Sequence, residues 1–242
     1  MSPEIKIGNS LSDDLHTLAR ACRILNLEGH ADMTLGHLSL RDPEGRGLWL
    51  KRSGIGLGEV RGVDDFTLID FGGRQLAGSG RVHIEWPIHA AVLRQRKDLN
   101  VVAHTHPFHA CLFSATGEKL RAVSHEAAYL GGEVARFEAS AGLIDNLDLG
   151  AALASAMGTA PAVLMRNHGV TFGGRSIAEA TLIGIFLEKA CKAQLALGAS
   201  GLAYRWAEAG ELSHKRDQLM TPALIDNFWD FYNRALDHQE RA

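Results

Sequence analysis

Two histidines one residue apart, His104 and His106, close the apolar run NVVAHTHP, and a third, His168, closes a second run, PAVLMRNHG. Side chains two positions apart on an extended strand project from one face a few ångströms apart. Three neutral imidazoles with an open fourth position are a common catalytic site for a divalent cation, which polarises a substrate oxygen. His-x-His alone is also what two surface histidines at a strand end look like, so His168 gives the pattern its meaning. His109 competes as a ligand, but Pro107 breaks the strand before it and turns it elsewhere. A general base or further ligand belongs nearby, and Glu85, beside Trp86 at the start of an amphipathic helix, is the candidate. Its other reading is a first-turn carboxylate interacting with the helix dipole. His83 faces the same way as Glu85 if the segment is extended, and His89, one turn into the helix, reads as structural.

The elements that must position these groups follow from periodicity. A helix runs from the capping candidate Ser12 to Gly29. Strand-like pieces LGHLSLRD, GLWLKRSG and FTLIDFGG, divided by Gly-rich turns, predict antiparallel strands rather than βαβ units. EWPIHAAVLRQRKD predicts a helix with Pro87 in its first turn. The buried strand with His104 follows, then a short helix over 108–116, a less regular stretch over 122–138, a small-residue helix near 147–157 and the strand with His168. A long helix, SIAEATLIGIFLEKACKAQLALG, and a final amphipathic one, PALIDNFWDFYNRALDHQ, complete the pattern. The G-x-G of GIGLGEVRG opens no helix, so no phosphate fingerprint is read there.

Composition excludes several classes. The chain has 242 residues, 25 basic and 28 acidic, with twelve histidines and three cysteines. No positive excess exists to neutralise a nucleic-acid backbone. Apolar runs stop short of a membrane span, and the stretch MSPEIKIGNSLSDD is too polar for a secretory signal, so a cytoplasmic protein is expected. Cys22, Cys111 and Cys191 read as free thiols, leaving any metal to histidine. With no repeat or linker, one domain over 1–242 is expected, with 200–242 as a C-terminal helical extension.

The ordered motifs E-W-x-x-H at 85–89, V-V-A-H-T-H-P at 101–107 and R-N-H-G at 166–169 resemble the class II aldolase/adducin family, in its fuculose-phosphate aldolase and ribulose-phosphate epimerase branch, over about residues 12–200. The resemblance implies an α/β fold in three α/β/α layers around a central, mostly antiparallel sheet, and a homotetramer with sites between subunits. It also implies one divalent metal per subunit, usually zinc; imidazoles accept manganese and cobalt as well. His104, His106 and His168 match the metal histidines, and Glu85 the catalytic carboxylate.

The departures narrow the substrate. Sugar-phosphate members hold phosphate with a Gly-Asn pair, a Thr/Ser-Gly turn and a Ser-Ser pair. Here stand Gly36-His37, Arg52-Ser53-Gly54 and Val82-His83-Ile84. His37 and His83, when protonated, donate to a planar carboxylate, with Arg52 close by in sequence. Where aldolases carry a proton-transferring tyrosine from the neighbouring subunit, AVSHEAAYLGG places His125, with Tyr129 as the alternative; an imidazole titrates nearer neutrality. The expected function is metal-dependent decarboxylation of a non-phosphorylated ortho-hydroxy aromatic or pyridine carboxylic acid through an enolate-like carbanion. The alternatives are an aldolase for a hydroxy-keto acid or sugar phosphate, and a non-catalytic adducin-like interaction module.

Overall fold

Antiparallel pairing is what the Gly-punctuated stretch 35–73 predicts, and the computed structural model, which describes residues 8–131 and 134–242, pairs it that way along one side of a single sheet. Helix α1 (Asn9–Leu27) precedes strands β1 (His37–Arg41), β2 (Leu48–Lys51), β3 (Phe66–Ile69) and β4 (Gln75–Ala77). Helix α2 (Trp86–Gln95) leads into β5 (Val101–Thr105), then α3 (Phe108–Ser114), α4 (His125–Tyr129), β6 (Val134–Phe137) and α5 (Leu147–Met157). The chain continues through β7 (Ala162–Met165), β8 (Val170–Gly174), α6 (Ile177–Ser200), α7 (Ala209–Leu219) and α8 (Pro222–Arg241).

The sheet runs β4-β3-β2-β1-β5-β8-β7-β6, and only the β6–β7 pair is parallel. Alternation along the strands splits the core into two layers. Leu38, Trp49, Val101, Ala103 and Phe172 face α1 and α6, whereas Leu48, Leu50, Val102, Val163 and Met165 face α2 and α5. This is the expected three-layer α/β/α fold with a mostly antiparallel sheet. Strand β5 lies near its middle, with His104 paired to His37 on β1 and to Thr171 on β8. That register puts the first predicted ligand in the most deeply covered part of the molecule.

Several local expectations are corrected. Helix α1 begins at Asn9 behind Gly8, so Ser12 lies in its first turn and caps nothing, its N–H donating to the Gly8 carbonyl at 3.0 Å. The strand over 161–169 ends at Met165, and Arg166–Gly169 form a turn. Strands β4, β6 and β8 and helix α7 occur where no element was read. Of the C-terminal aromatics, Tyr232 is buried, its hydroxyl accepting from Lys189 Nζ at 2.9 Å, and Phe228 sets its edge against Tyr129 and Phe186, whereas Phe231 is exposed. Residues 1–7 of the polar N-terminal stretch, and residues 132–133 of the 122–138 segment, lie outside the described residues. Among the described residues, no helix is long and apolar enough to cross a membrane, and Cys22, Cys111 and Cys191 are free thiols.

Candidate metal centre and its cleft

His104 is fully buried on β5. Its Nδ1 lies 3.1 Å from the Val170 carbonyl oxygen. A carbonyl only accepts, so Nδ1 carries the hydrogen and Nε2 keeps its lone pair. His106 stands one residue past the strand, its Nε2 3.1 Å from that of His104. His168 comes from the β7–β8 turn rather than from a strand. Asn167 takes the left-handed conformation there (φ 54°), one of the few side chains that tolerate it, and the turn is closed by Met165 N–H to the Gly169 carbonyl at 2.9 Å. The glycine of R-N-H-G has a steric cause: a Cβ at 169 would fall 2.5 Å from His106 Cδ2.

Glu85 caps no helix end with its side chain. Its Oε1 accepts the Ile144 N–H at 2.9 Å and lies 3.5 Å from His168 Nε2, while Oε2 is 3.6 Å from His104 Nε2. Burial by itself pushes this carboxyl up. The His168 ring, the neighbouring His104 and the Ile144 N–H outweigh it and hold Glu85 down at about 2, ionised at neutral pH. His104 itself is pushed well below the usual imidazole range, chiefly by burial.

Ligand nitrogens of His104, His106 and His168 all lie within 4.8 Å of one another. Behind them, Nδ1 of His106 and of His168 are buried without a hydrogen-bond partner. Three converging imidazole nitrogens beside an ionised carboxylate fit a divalent cation. The group opens on a cleft of about 580 Å³ whose walls include Asp32, Leu35, Glu85, His106, Phe108, Cys111, Leu143, Asn167 and His168. Among the described residues, no lysine or arginine lines it.

The expected substrate-binding residues fall outside that lining. His37 Nδ1 is 2.6 Å from His89 Nε2, and His89 Nδ1 is 2.7 Å from Ser39 Oγ, whose hydroxyl donates to the Val102 carbonyl at 3.4 Å. Read from that carbonyl outward, each hydrogen is assigned: Ser39 accepts from His89, His89 accepts from His37, and His37 Nε2 keeps a lone pair. Burial pushes His37 well below the usual imidazole range, His83 down to about 4 and His89 down to about 3. The expectation that His37 and His83 donate as protonated rings therefore changes: at neutral pH both are uncharged, and His37 offers an acceptor. Their rings pack at 4.2 Å, and His37 packs on His104 at 5.3 Å. Arg52 pairs with Asp65 at 3.2 Å, Ser53 N–H donates to the Arg81 carbonyl, and Gly54 takes φ 87°. Lys51, unnoticed in the sequence, is fully buried, its Nζ donating to the Arg52 and Ile55 carbonyls, and burial pushes it down to about 8.

His109 is turned away as expected, its Nδ1 2.6 Å from Glu188 Oε1. His125 is exposed on the short helix α4, its Nε2 3.2 Å from the hydroxyl of Tyr129, whose ring stacks on Phe186 at 4.1 Å. Neither His125 nor Tyr129 lines the cleft of its own chain. Asp32, also missed, faces His106 Nδ1 at 3.5 Å. No spacing signal could have joined residues so far apart in the chain.

A family model for the class II aldolase and adducin N-terminal domain matches residues 16–195. The chain is 31% identical over 201 residues to a 3,4-dihydroxyphthalate decarboxylase of Arthrobacter keyseri, covering 78% of this chain and 80% of that one. It is 29% identical to a 5-methylthioribulose-1-phosphate/5-deoxyribulose-1-phosphate aldolase of Rhodospirillum rubrum, over 72% of this chain and 76% of the other. Among solved structures, an L-fuculose 1-phosphate aldolase from Glaciozyma antarctica superposes with a TM-score of 0.83 at 23% identity, over 99% of this chain and 95% of that one. At that identity the likeness concerns the fold.

Proposed function

This chain belongs to the class II aldolase and adducin family, and from that premise we propose that it is a metal-dependent carbon–carbon lyase that decarboxylates a non-phosphorylated ortho-hydroxy aromatic or pyridine carboxylic acid. The observation that carries the choice of substrate is the cleft wall. Leu35, Phe108 and Leu143 offer apolar surface to a ring, and among the described residues of this chain no lysine or arginine stands in that wall to pair with a phosphate. The likeness to 3,4-dihydroxyphthalate decarboxylases supports the same reading.

His104, His106 and His168 are the proposed ligands of one divalent cation, zinc first, with manganese or cobalt as alternatives. When bound, the cation supplies Lewis-acid polarisation of the substrate oxygens. Glu85, held ionised, accepts the proton of the ring hydroxyl beside the carboxylate. The deprotonated oxygen pushes its electrons into the ring, so that the carbon bearing the carboxylate takes up a proton and the oxygen becomes a carbonyl; the bond between that carbon and the carboxylate then breaks, carbon dioxide leaves, and the electron pair restores the aromatic ring and the oxygen anion. An apolar wall around the departing carboxylate favours its conversion to a neutral gas. His125 of a neighbouring subunit, in a homotetramer with sites between subunits, supplies that proton to the ring carbon; Tyr129 is the alternative donor. His37, His83, Arg52, Ser53 and Gly54 recognise a further polar substituent along the row His83–His37–His104, with His37 accepting from a hydroxyl.

A second reading, aldol cleavage of a hydroxy-keto acid or sugar phosphate, is favoured by the likeness to the methylthioribulose-phosphate aldolase. A non-catalytic interaction module has no use for an ionised buried carboxylate aimed at three histidines. The test is one panel on metal-loaded protein: hydroxybenzoic, hydroxyphthalic and hydroxypyridine carboxylates followed by carbon dioxide release, beside fuculose- and ribulose-type phosphates. Decarboxylation of at least one ortho-hydroxy acid is expected. Faster cleavage of a sugar phosphate overturns the proposal, and no uptake of zinc, manganese or cobalt overturns both enzyme readings.

A further inference from the structure

The three imidazoles are not held alike. A neutral imidazole carries one hydrogen, and only the nitrogen without it can bind a cation. For His104 the choice is made by the Val170 carbonyl, 3.1 Å from Nδ1. His106 has no such acceptor. Its Nδ1 is buried and without a hydrogen-bond partner, and the group facing it is Asp32 Oδ2 at 3.5 Å.

We propose that Asp32 is a positioning residue of the metal centre, its carboxylate fixing the hydrogen of His106 on Nδ1 so that Nε2 presents its lone pair toward His104 and His168. The proposal rests on metal binding by the three histidines. The loop between α1 and β1 is built to hold Asp32 there. His30, two residues earlier and fully buried, has its Nδ1 2.9 Å from Thr105 Oγ1, directly before His106 in the chain. Three residues later, Leu35 N–H donates to the Asp32 carbonyl at 2.9 Å. The loop is thereby tied to the end of β5, and Asp32 lines the cleft with its side chain 41% exposed. Among the described residues, the only ion-pair partner of Asp32 is His106. A carboxylate behind a ligating imidazole also makes the ligating nitrogen more basic, and removing such a partner typically weakens metal binding about 10- to 100-fold.

The experiment measures zinc affinity by competition with a chromophoric chelator on metal-stripped wild type, Asp32→Asn and Asp32→Ala, with the melting temperature of each metal-free protein as control. Asp32→Ala is expected to bind zinc about 10- to 100-fold more weakly. Asp32→Asn, whose amide oxygen still accepts, is expected to lose less, and the metal-free melting temperatures should coincide. Wild type that binds zinc beside Asp32→Ala that binds it within about twofold overturns this proposal alone, because a tenfold loss is the least that such a partner gives. A metal-free melting temperature that falls with the affinity makes the role structural and overturns it as well. Wild type that takes up none of zinc, manganese and cobalt overturns the proposed function together with it.

Discussion

Two parts of the molecule gather groups able to move protons, and they are held in opposite ways. Around His104 the rings and Glu85 are buried, bonded to backbone and to one another, and anchored in the middle of the sheet. Around His125 an exposed ring stands on a five-residue helix, with the hydroxyl of Tyr129 beside it. The first is preorganised within one chain. The second lies outside the cleft of its own chain, and under the proposed function it acts on a substrate held by a neighbouring subunit. Hydrogen bonds and neighbouring rings hold Glu85 ionised in the first despite its burial, whereas the ring of the second stands open to solvent.

The largest break in this contrast is expected from His106→Ala: the protein stays folded and oligomeric while metal content by mass spectrometry drops below about a tenth of an equivalent, since a three-ligand site does not survive on two. Unchanged content would mean that the cation is held elsewhere. Next comes Glu85→Gln, which keeps an oxygen for the Ile144 N–H but cannot take a proton. Turnover should fall about 10²- to 10⁴-fold with metal content intact. His125→Phe should lower turnover less, about 10²-fold, again with full metal content, and the rate should return when subunits carrying His125→Phe are mixed with subunits carrying Glu85→Gln. Failure of mixing to restore activity would place both groups in one chain's site. Normal turnover of His125→Phe would hand the role to Tyr129.

The smallest effect is on stability. His30 and His89 are fully buried and pushed down to about 3. The unfolded chain therefore takes up their protons first, as pH falls below an ordinary imidazole value near 6.5. Their contribution is intact above pH 6.5 and is lost as pH falls toward 3, by about 1.4 kcal/mol per pH unit for each ring. Urea midpoints of the metal-free protein should drop between pH 7 and pH 5, and midpoints that stay level would mean that the two rings are not buried uncharged.

What the sequence made legible was local. His104 and His106 share a strand end, so their spacing carried their geometry, and the Pro87 turn announced α2. Groups that meet through the fold left no such mark: Asp32 on His106, Ile144 on Glu85, Lys51 under the Arg52 turn. Strand β8 was hidden for a different reason. Its Gly173 and Gly174 offer no side chains whose alternation would mark a strand, and Cβ atoms there would fall 2.8 Å from the Val101 carbonyl oxygen and 2.4 Å from the Ala180 nitrogen. Glycine here answers to close packing of backbone on backbone rather than to chain reversal. Helix α7 escaped notice because, among its described side chains, Leu212 alone is buried, leaving little apolar period to read.

The ligand set joins the end of β5 to the β7–β8 turn, segments that become neighbours only once β5 has paired with β8 across the middle of the chain. A cation seated there would tie together segments far apart in the chain, a non-local closure whose loop entropy is lost before its contacts are gained. It should therefore act as a clasp on the finished fold rather than as a seed for it. Zinc is expected to slow the unfolding arm of a chevron plot and leave the refolding arm where it was, so that loading is felt as the lifetime of the native state.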